Sequence, residues 1–175
     1  SKIAVGDAVI ALESSGIHTN GYTLVRTIMR EHPEILSADV NGRSFIDAIL
    51  EPHRCYYSSL KGLFGTGAIN GMAHITGGGI CENLNRILPD NINAEIDLKT
   101  YDVPYIFKLL KETGDVSDAE MLRTFNLGVG LALVTPPEKS GDVVSYLEKV
   151  GLKSKIIGRI VNGNKKVVCS GNISW

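Results

Sequence analysis

Three stretches of this chain combine polar side chains with glycine in the way a ligand site requires: "SSGIHTNGYTL" (14–24), "HITGGGICENL" (74–84) and "RTFNLGVG" (123–130). The first two run from a strand-like segment into a helix-like one, and the third runs from helix into strand. A helix that follows a glycine-rich turn offers unpaired N–H groups and the positive end of its dipole, which together accept phosphate or carboxylate. Three consecutive glycines are costly to order, so Gly77, Gly78 and Gly79 are candidates for close approach of an anion to the backbone. Tight helix–sheet packing accounts for the same glycines, and a glycine motif alone does not choose between the two. Ser14, Ser15 and Asn20 carry groups that either line a site or cap their own loop. His18 and His74 read as ligand-facing or as structural histidines. Arg123 reads as an anion partner or as a cation answering a helix C-terminus.

The chain lacks a GxSxG elbow, a Walker-type phosphate loop, a Rossmann glycine fingerprint and an HExxH pair. Its carboxylates are scattered: Asp97 sits in a strand, Asp102 and Asp118 at helix starts, and Glu82 in the first helical turn after the glycines. No nucleophile–base pair is self-contained. The pattern is half of a site.

The elements that must position these segments alternate along the chain. "AVIAL" (8–12) and "VGLALV" (129–134) are continuous apolar runs of strand length, the pattern of strands covered on both faces. Leu24, Val25, Ile28 and Met29 form a helical stripe ending before Pro33. Ser44 caps a short helix carrying Phe45, Ile46, Ile49 and Leu50, which Pro52 ends. Residues 57–72, with four glycines, predict short broken turns. "AHIT" (73–76) predicts a strand, and Ile80, Leu84, Ile87 and Leu88 a helix that Pro89 closes. "AEIDL" (94–98) alternates as a half-exposed strand. Asp102 and Pro104 open a helix striped by Val103, Ile106, Phe107 and Leu110. "SDAE" (117–120) predicts a capping box. Val143, Val144, Leu147 and Val150 stripe the next helix, and "KIIGRIV" and "KKVVC" pair as a terminal hairpin around "NGN". The expected class is α+β: a mixed β-sheet with helices packed on it in layers, one domain over 1–175.

At 175 residues with a net charge of −1, the chain can bury a full core and projects no polyanion-binding field, so neither nucleic-acid nor membrane binding is expected. Cys55, Cys81 and Cys169 are odd in number and outside any CxxC. They predict neither disulfide staples nor a zinc site, and suit a reducing, cytoplasmic location. "SKIAVGDAVIAL" enters a strand almost at once, as a domain excised from a longer polypeptide would.

Taken together, "SSGIHTNGYTLVR", "AHITGGGICENLNRILPD" and "RTFNLGVGLALV" resemble the C-terminal domain of phosphoribosylformylglycinamidine cyclo-ligase, the aminoimidazole ribonucleotide synthetase family. The likeness begins at "GDAVIAL", includes "DVPYIFKLL", and runs to "KIIGRIV". The chain departs from the family in "EPHRCYY", where His53 stands in place of the usual threonine. The resemblance implies an ATP-dependent ring closure in purine biosynthesis, converting formylglycinamidine ribonucleotide to aminoimidazole ribonucleotide with release of ADP and phosphate. It implies ATP and Mg²⁺ held mainly by an N-terminal domain outside this chain, which is the partner this half-site needs, and a homodimer for the complete enzyme. In that frame Gly77, Gly78 and Gly79, with Thr76 and His74 before them, form an anion-accepting wall of an interdomain cleft. Ser14, Ser15, Gly16, His18, Asn20 and Gly21 line an adjacent part, with Arg123 and Asn126 nearby. The anion is the ribose 5-phosphate or the transferring phosphate. A non-catalytic anion- or nucleotide-binding module of the same fold is the alternative, and the isolated chain is expected to be inactive.

Overall fold

A computed structural model describes residues 2–175. The elements in chain order are β1 (Ala8–Glu13), α1 (Tyr22–Glu31), α2 (Phe45–Ile49), α3 (Tyr57–Leu60), β2 (Gly71–His74), α4 (Gly79–Asn85), β3 (Ile92–Asp97), α5 (Tyr105–Thr113), α6 (Asp118–Thr124), β4 (Val129–Thr135), α7 (Pro137–Lys149), β5 (Ser154–Asn162) and β6 (Val167–Ser170). Short 3-10 turns cover Pro33–Ser37 and Leu98–Thr100.

All six strands join one sheet in the order β2-β4-β1-β5-β3-β6. Four ladders are antiparallel and β3–β6 is parallel, so the sheet is mixed. The two apolar runs lie at its centre. In β1, Val9 and Ala11 face one core while Ile10 and Leu12 face the other; in β4, Ala132 and Val134 oppose Leu131 and Leu133 in the same way. The larger core is closed by α1, α2, α4, α5 and α6, the smaller by α3 and α7. Burial on both faces is why neither strand alternates with polar residues.

The terminal hairpin does not form. β3 lies between β5 and β6, pairing antiparallel with the first and parallel with the second. The residues that resemble a hairpin turn instead cross the end of β3. Asn93 Oδ1 there accepts from the N–H groups of Asn164 and Lys166, and Lys165 N–H donates to Ile92 O. A long-range side chain thus takes over the backbone donors that a two-residue hairpin would satisfy locally. Smaller departures follow the same logic. β2 starts at Gly71, not Ala73, because Gly71 already pairs with Val134, and its register with β4 ends at His74↔Leu131, after which the chain peels away into the glycine turn. Val150 ends α7 facing solvent. Only half of the capping box is built: Ser117 Oγ accepts from Glu120 N–H, while the Glu120 carboxylate turns to Arg123 and Thr124.

Candidate functional site

The topology brings the three polar segments to one end of the sheet. The first follows β1, the second follows β2, and the third precedes β4, which is antiparallel to both. A bulge in the β1–β4 ladder marks the junction, where Leu12 opposes Leu131 but Glu13 opposes Val129. Gly130, the residue skipped, has no room for a side chain: a Cβ there would lie 2.6 Å from His18 Cε1 and 2.0 Å from the Tyr56 hydroxyl.

Ser14 and Asn126 are buried and bind each other. Ser14 Oγ shares its proton between Gly16 O (2.9 Å) and Asn126 Oδ1 (3.0 Å), while Asn126 Nδ2 donates to Gly16 O (3.0 Å). Asn126 Oδ1 also accepts from Gly128 N–H at 2.9 Å. This clamp fixes the first loop to the third. Ser15 Oγ donates to Pro52 O at 2.7 Å, and Asn20 Nδ2 donates to Ile75 O at 3.4 Å, tying the first loop to the second. Gly21 has a positive φ and packs under the Phe125 ring.

The triple glycine divides by function. Gly78 (φ 94°) and Gly79 (φ 59°) adopt left-handed backbone that other residues rarely take. Gly78 N–H donates to Arg123 O (2.8 Å) and Gly79 N–H to Thr76 O (3.0 Å), so both amides are used inside the protein. A Cβ on Gly79 would lie 1.9 Å from Leu122 O, which makes this glycine the contact point of α4 with α6. Gly77 has neither constraint: its φ lies outside the left-handed region, and nothing sits within 4 Å of where its Cβ would be. Left-handed backbone at Gly78, and left-handed backbone with packing at Gly79, therefore explain two of the three. Beneath the turn, the buried Asn83 donates Nδ2 toward Thr76 O, Gly77 O and Gly79 O (3.2, 3.2 and 2.8 Å) and accepts from Thr76 Oγ1 at 2.9 Å. The Arg123 side chain is 69% exposed and paired with Glu120 at 2.6 Å. What joins Arg123 to the turn is its carbonyl.

His18, at φ 55° and 2% exposed, stacks on His53 with ring centroids 3.9 Å apart and 22° between planes. His53 meets the edge of His74, their Nε2 atoms 3.1 Å apart, so one must donate and the other accept. His18 Nε2 accepts from Ser15 N–H at 3.1 Å. That bond assigns the proton of the neutral ring to Nδ1, which is buried with no partner. Burial, followed by the neighbouring His53, His74 and Arg54, lowers the His18 pKa to about 4. Burial and then His53 lower that of His74. At neutral pH both rings are neutral.

Residues 4–170 match the family described as AIR synthase related protein, C-terminal domain. The chain belongs to this family. A phosphoribosylformylglycinamidine cyclo-ligase from Burkholderia multivorans is 46% identical over 160 residues, a match covering 91% of this chain and 46% of that protein. The chain thus spans about half the length of the curated relatives it matches. Among solved structures, thiamine-monophosphate kinase from Stenotrophomonas maltophilia superposes with a TM-score of 0.66 at 15% identity, covering 99% of this chain and 53% of that one. T. maritima PurL complexed with AMPPCP gives 0.52 at 15% identity, covering 98% and 24%. These two show the shared fold, and the expected α+β class stands.

The family resemblance implies ATP and Mg²⁺, and the donors present do not fit that ion. Among the described residues, the His, Cys, Asp and Glu side chains that converge in a group of three are His18, His53 and His74, with donor atoms within 4.8 Å of one another. Mg²⁺ selects carboxylate and water oxygens, not three imidazoles. The trio is also poorly arranged for a softer metal, since near-parallel stacked rings do not aim their lone pairs at one point and His18 Nε2 is already an acceptor. Sequence reading missed His53 as a partner of His18 and His74, and missed Asn83. The substitution in "EPHRCYY" marked the first; nothing local marked the second.

Proposed function

We propose that this chain is the C-terminal domain of a phosphoribosylformylglycinamidine cyclo-ligase, contributing one wall of a site that closes the imidazole ring of formylglycinamidine ribonucleotide at the expense of ATP. The observation that carries this reading is the 46% identity over 160 residues to the Burkholderia multivorans enzyme. T. maritima PurL, a fold neighbour complexed with AMPPCP, supports ATP as the co-substrate. On this reading ATP and Mg²⁺ are held mainly by an N-terminal domain outside this chain, which the all-imidazole donor group here supports for Mg²⁺. The complete enzyme is a cytoplasmic homodimer.

On this reading the chain's own work is binding and orientation. The Ser14–Gly16–Asn126 clamp and Asn20 hold the loops at a fixed spacing. Gly77 leaves an open approach to the backbone, and Gly78 and Gly79 shape the turn that presents it. His74 and His53 share one proton between their Nε2 atoms, and the accepting ring keeps its Nδ1–H to donate to a phosphate or amide oxygen of the nucleotide. Ser15, His18, Gly21, Thr76 and Arg123 position these groups.

The test is a chimera in which this chain replaces the corresponding half of the Burkholderia multivorans enzyme, expressed in a purine auxotroph that lacks cyclo-ligase. Growth without purine, and ADP release dependent on formylglycinamidine ribonucleotide from the purified chimera, are expected. A folded chimera that binds nucleotide but neither rescues growth nor releases ADP overturns the reading. The isolated chain is expected to release no ADP above blank.

A further inference from the structure

Cys81 lies in the first turn of α4, two residues past the glycine turn, and Cys169 lies in β6 at the sheet edge. Their Sγ atoms are 3.1 Å apart although 88 residues separate them in sequence. That is closer than two sulfurs sit in ordinary contact, and an approach of about 1 Å more makes a bond. Both side chains are half-buried, whereas Cys55 is exposed. The pair is asymmetric. The hydrogen bond between the sulfurs, in which either can donate, outweighs burial and Glu82 in lowering the Cys81 pKa to about 7 and raises that of Cys169. Beside them the buried Tyr101 hydroxyl has no hydrogen-bond partner among the described residues, and its pKa is raised by burial first and then by the two sulfurs.

We propose that Cys81 and Cys169 are an oxidation site, a dithiol that a low-molecular-weight disulfide converts to an intramolecular disulfide joining α4 to β6. The Cys81 thiolate attacks one sulfur of the small disulfide, forming a mixed disulfide and expelling one small thiolate. Cys169 then loses its proton and attacks the Cys81 sulfur, expelling the second small thiolate. Two electrons pass from the protein thiols to the small disulfide, which leaves as two thiols. The new bond closes a long loop and constrains the unfolded chain. It raises the melting temperature by roughly 10 °C for a chain of this size.

The experiment uses the chain with Cys55→Ser, so that only the pair can react, and oxidised glutathione as the probe. Thiols are alkylated after acid trapping and counted by intact mass, and the linkage is mapped in digests. The expected product has lost two hydrogens, carries no alkylation or glutathione, yields a linked Cys81–Cys169 peptide, and melts higher until dithiothreitol restores the parent value. Cys81→Ser and Cys169→Ser, each on the same background, should stop at one glutathione adduct or remain unmodified. The proposal is overturned if the pair keeps both thiols under conditions where Cys55 of the parent takes up glutathione. It is equally overturned by a doubly glutathionylated chain or by disulfides between molecules.

Discussion

Replacing Gly79 by alanine adds one methyl group, yet it should unfold more of this protein than most single changes. The new Cβ would lie 1.9 Å from Leu122 O, a backbone atom that no side-chain rotation can move. Relief requires α4 and α6 to separate by more than 1 Å at their contact, an overpacking cost of about 1–3 kcal/mol. The left-handed φ of 59° adds about 1 kcal/mol for a residue with a Cβ. The expected loss is about 2–4 kcal/mol, or roughly 5–15 °C in melting temperature. Gly77→Ala, two residues earlier, meets nothing within 4 Å and should stay within about 0.5 kcal/mol of the parent. Urea unfolding of both variants by circular dichroism at fixed pH makes the comparison. A Gly79→Ala protein within about 0.5 kcal/mol of the parent would refute the packing account of that glycine. The same pair separates structure from ligand approach: in the chimera, a stable Gly77→Ala that raises KM for the ribonucleotide at least tenfold marks the open glycine as the contact. An unchanged KM removes the glycine turn from the site.

Three further outcomes are expected. The unfolded His18 ring takes a proton at 6.5 but the folded one only at about 4, so stability is complete above pH 6.5, falls as pH drops and levels near 4; the loss at pH 5 is about 2 kcal/mol. His18→Asn, whose side chain tolerates the left-handed backbone, should flatten that slope relative to the parent in denaturant titrations at pH 7 and 5. Asn83→Ala removes the amide donor shared by the Thr76, Gly77 and Gly79 carbonyls, of which Thr76 O keeps its bond from Gly79 N–H, and should cost about 1–3 kcal/mol, with faster amide hydrogen exchange at 77–79 than in the parent as the specific readout. The chain alone should melt in one cooperative transition, since both cores close without a partner; a broad melt with strong dye binding would show that they do not.

Legibility from sequence followed range. "AVIAL" and "VGLALV" announce central strands because burial on both faces is written into consecutive residues, and the Ser44 and Ser117 caps are local chemistry. "NGN" misleads because its backbone donors are claimed by Asn93, some seventy positions away. The candidate loops were legible as polar segments at strand ends, but their internal economy was not. Ser14 and Asn126 spend their groups on each other across 112 residues, and His53 reaches His18 and His74 only through the fold. Cys81 and Cys169 looked unpaired for the same reason. Spacing along a chain carries no information about a contact that a sheet creates between its ends.

The strand order also governs when the fold can appear. No two neighbours in the sheet are neighbours in sequence, and β1, β2 and β3 share no ladder with one another. A chain emerging from the ribosome therefore carries three unpaired strands until Val129–Thr135 is made, when β4 can accept β1 and β2 together. β3 waits longer still, for β5, and β6 can dock only after it. Such delayed, non-local pairing slows folding and leaves apolar strand edges open to other chains meanwhile. Expression yield should accordingly depend on holdase chaperones and on translation speed more than on the stability of the finished domain.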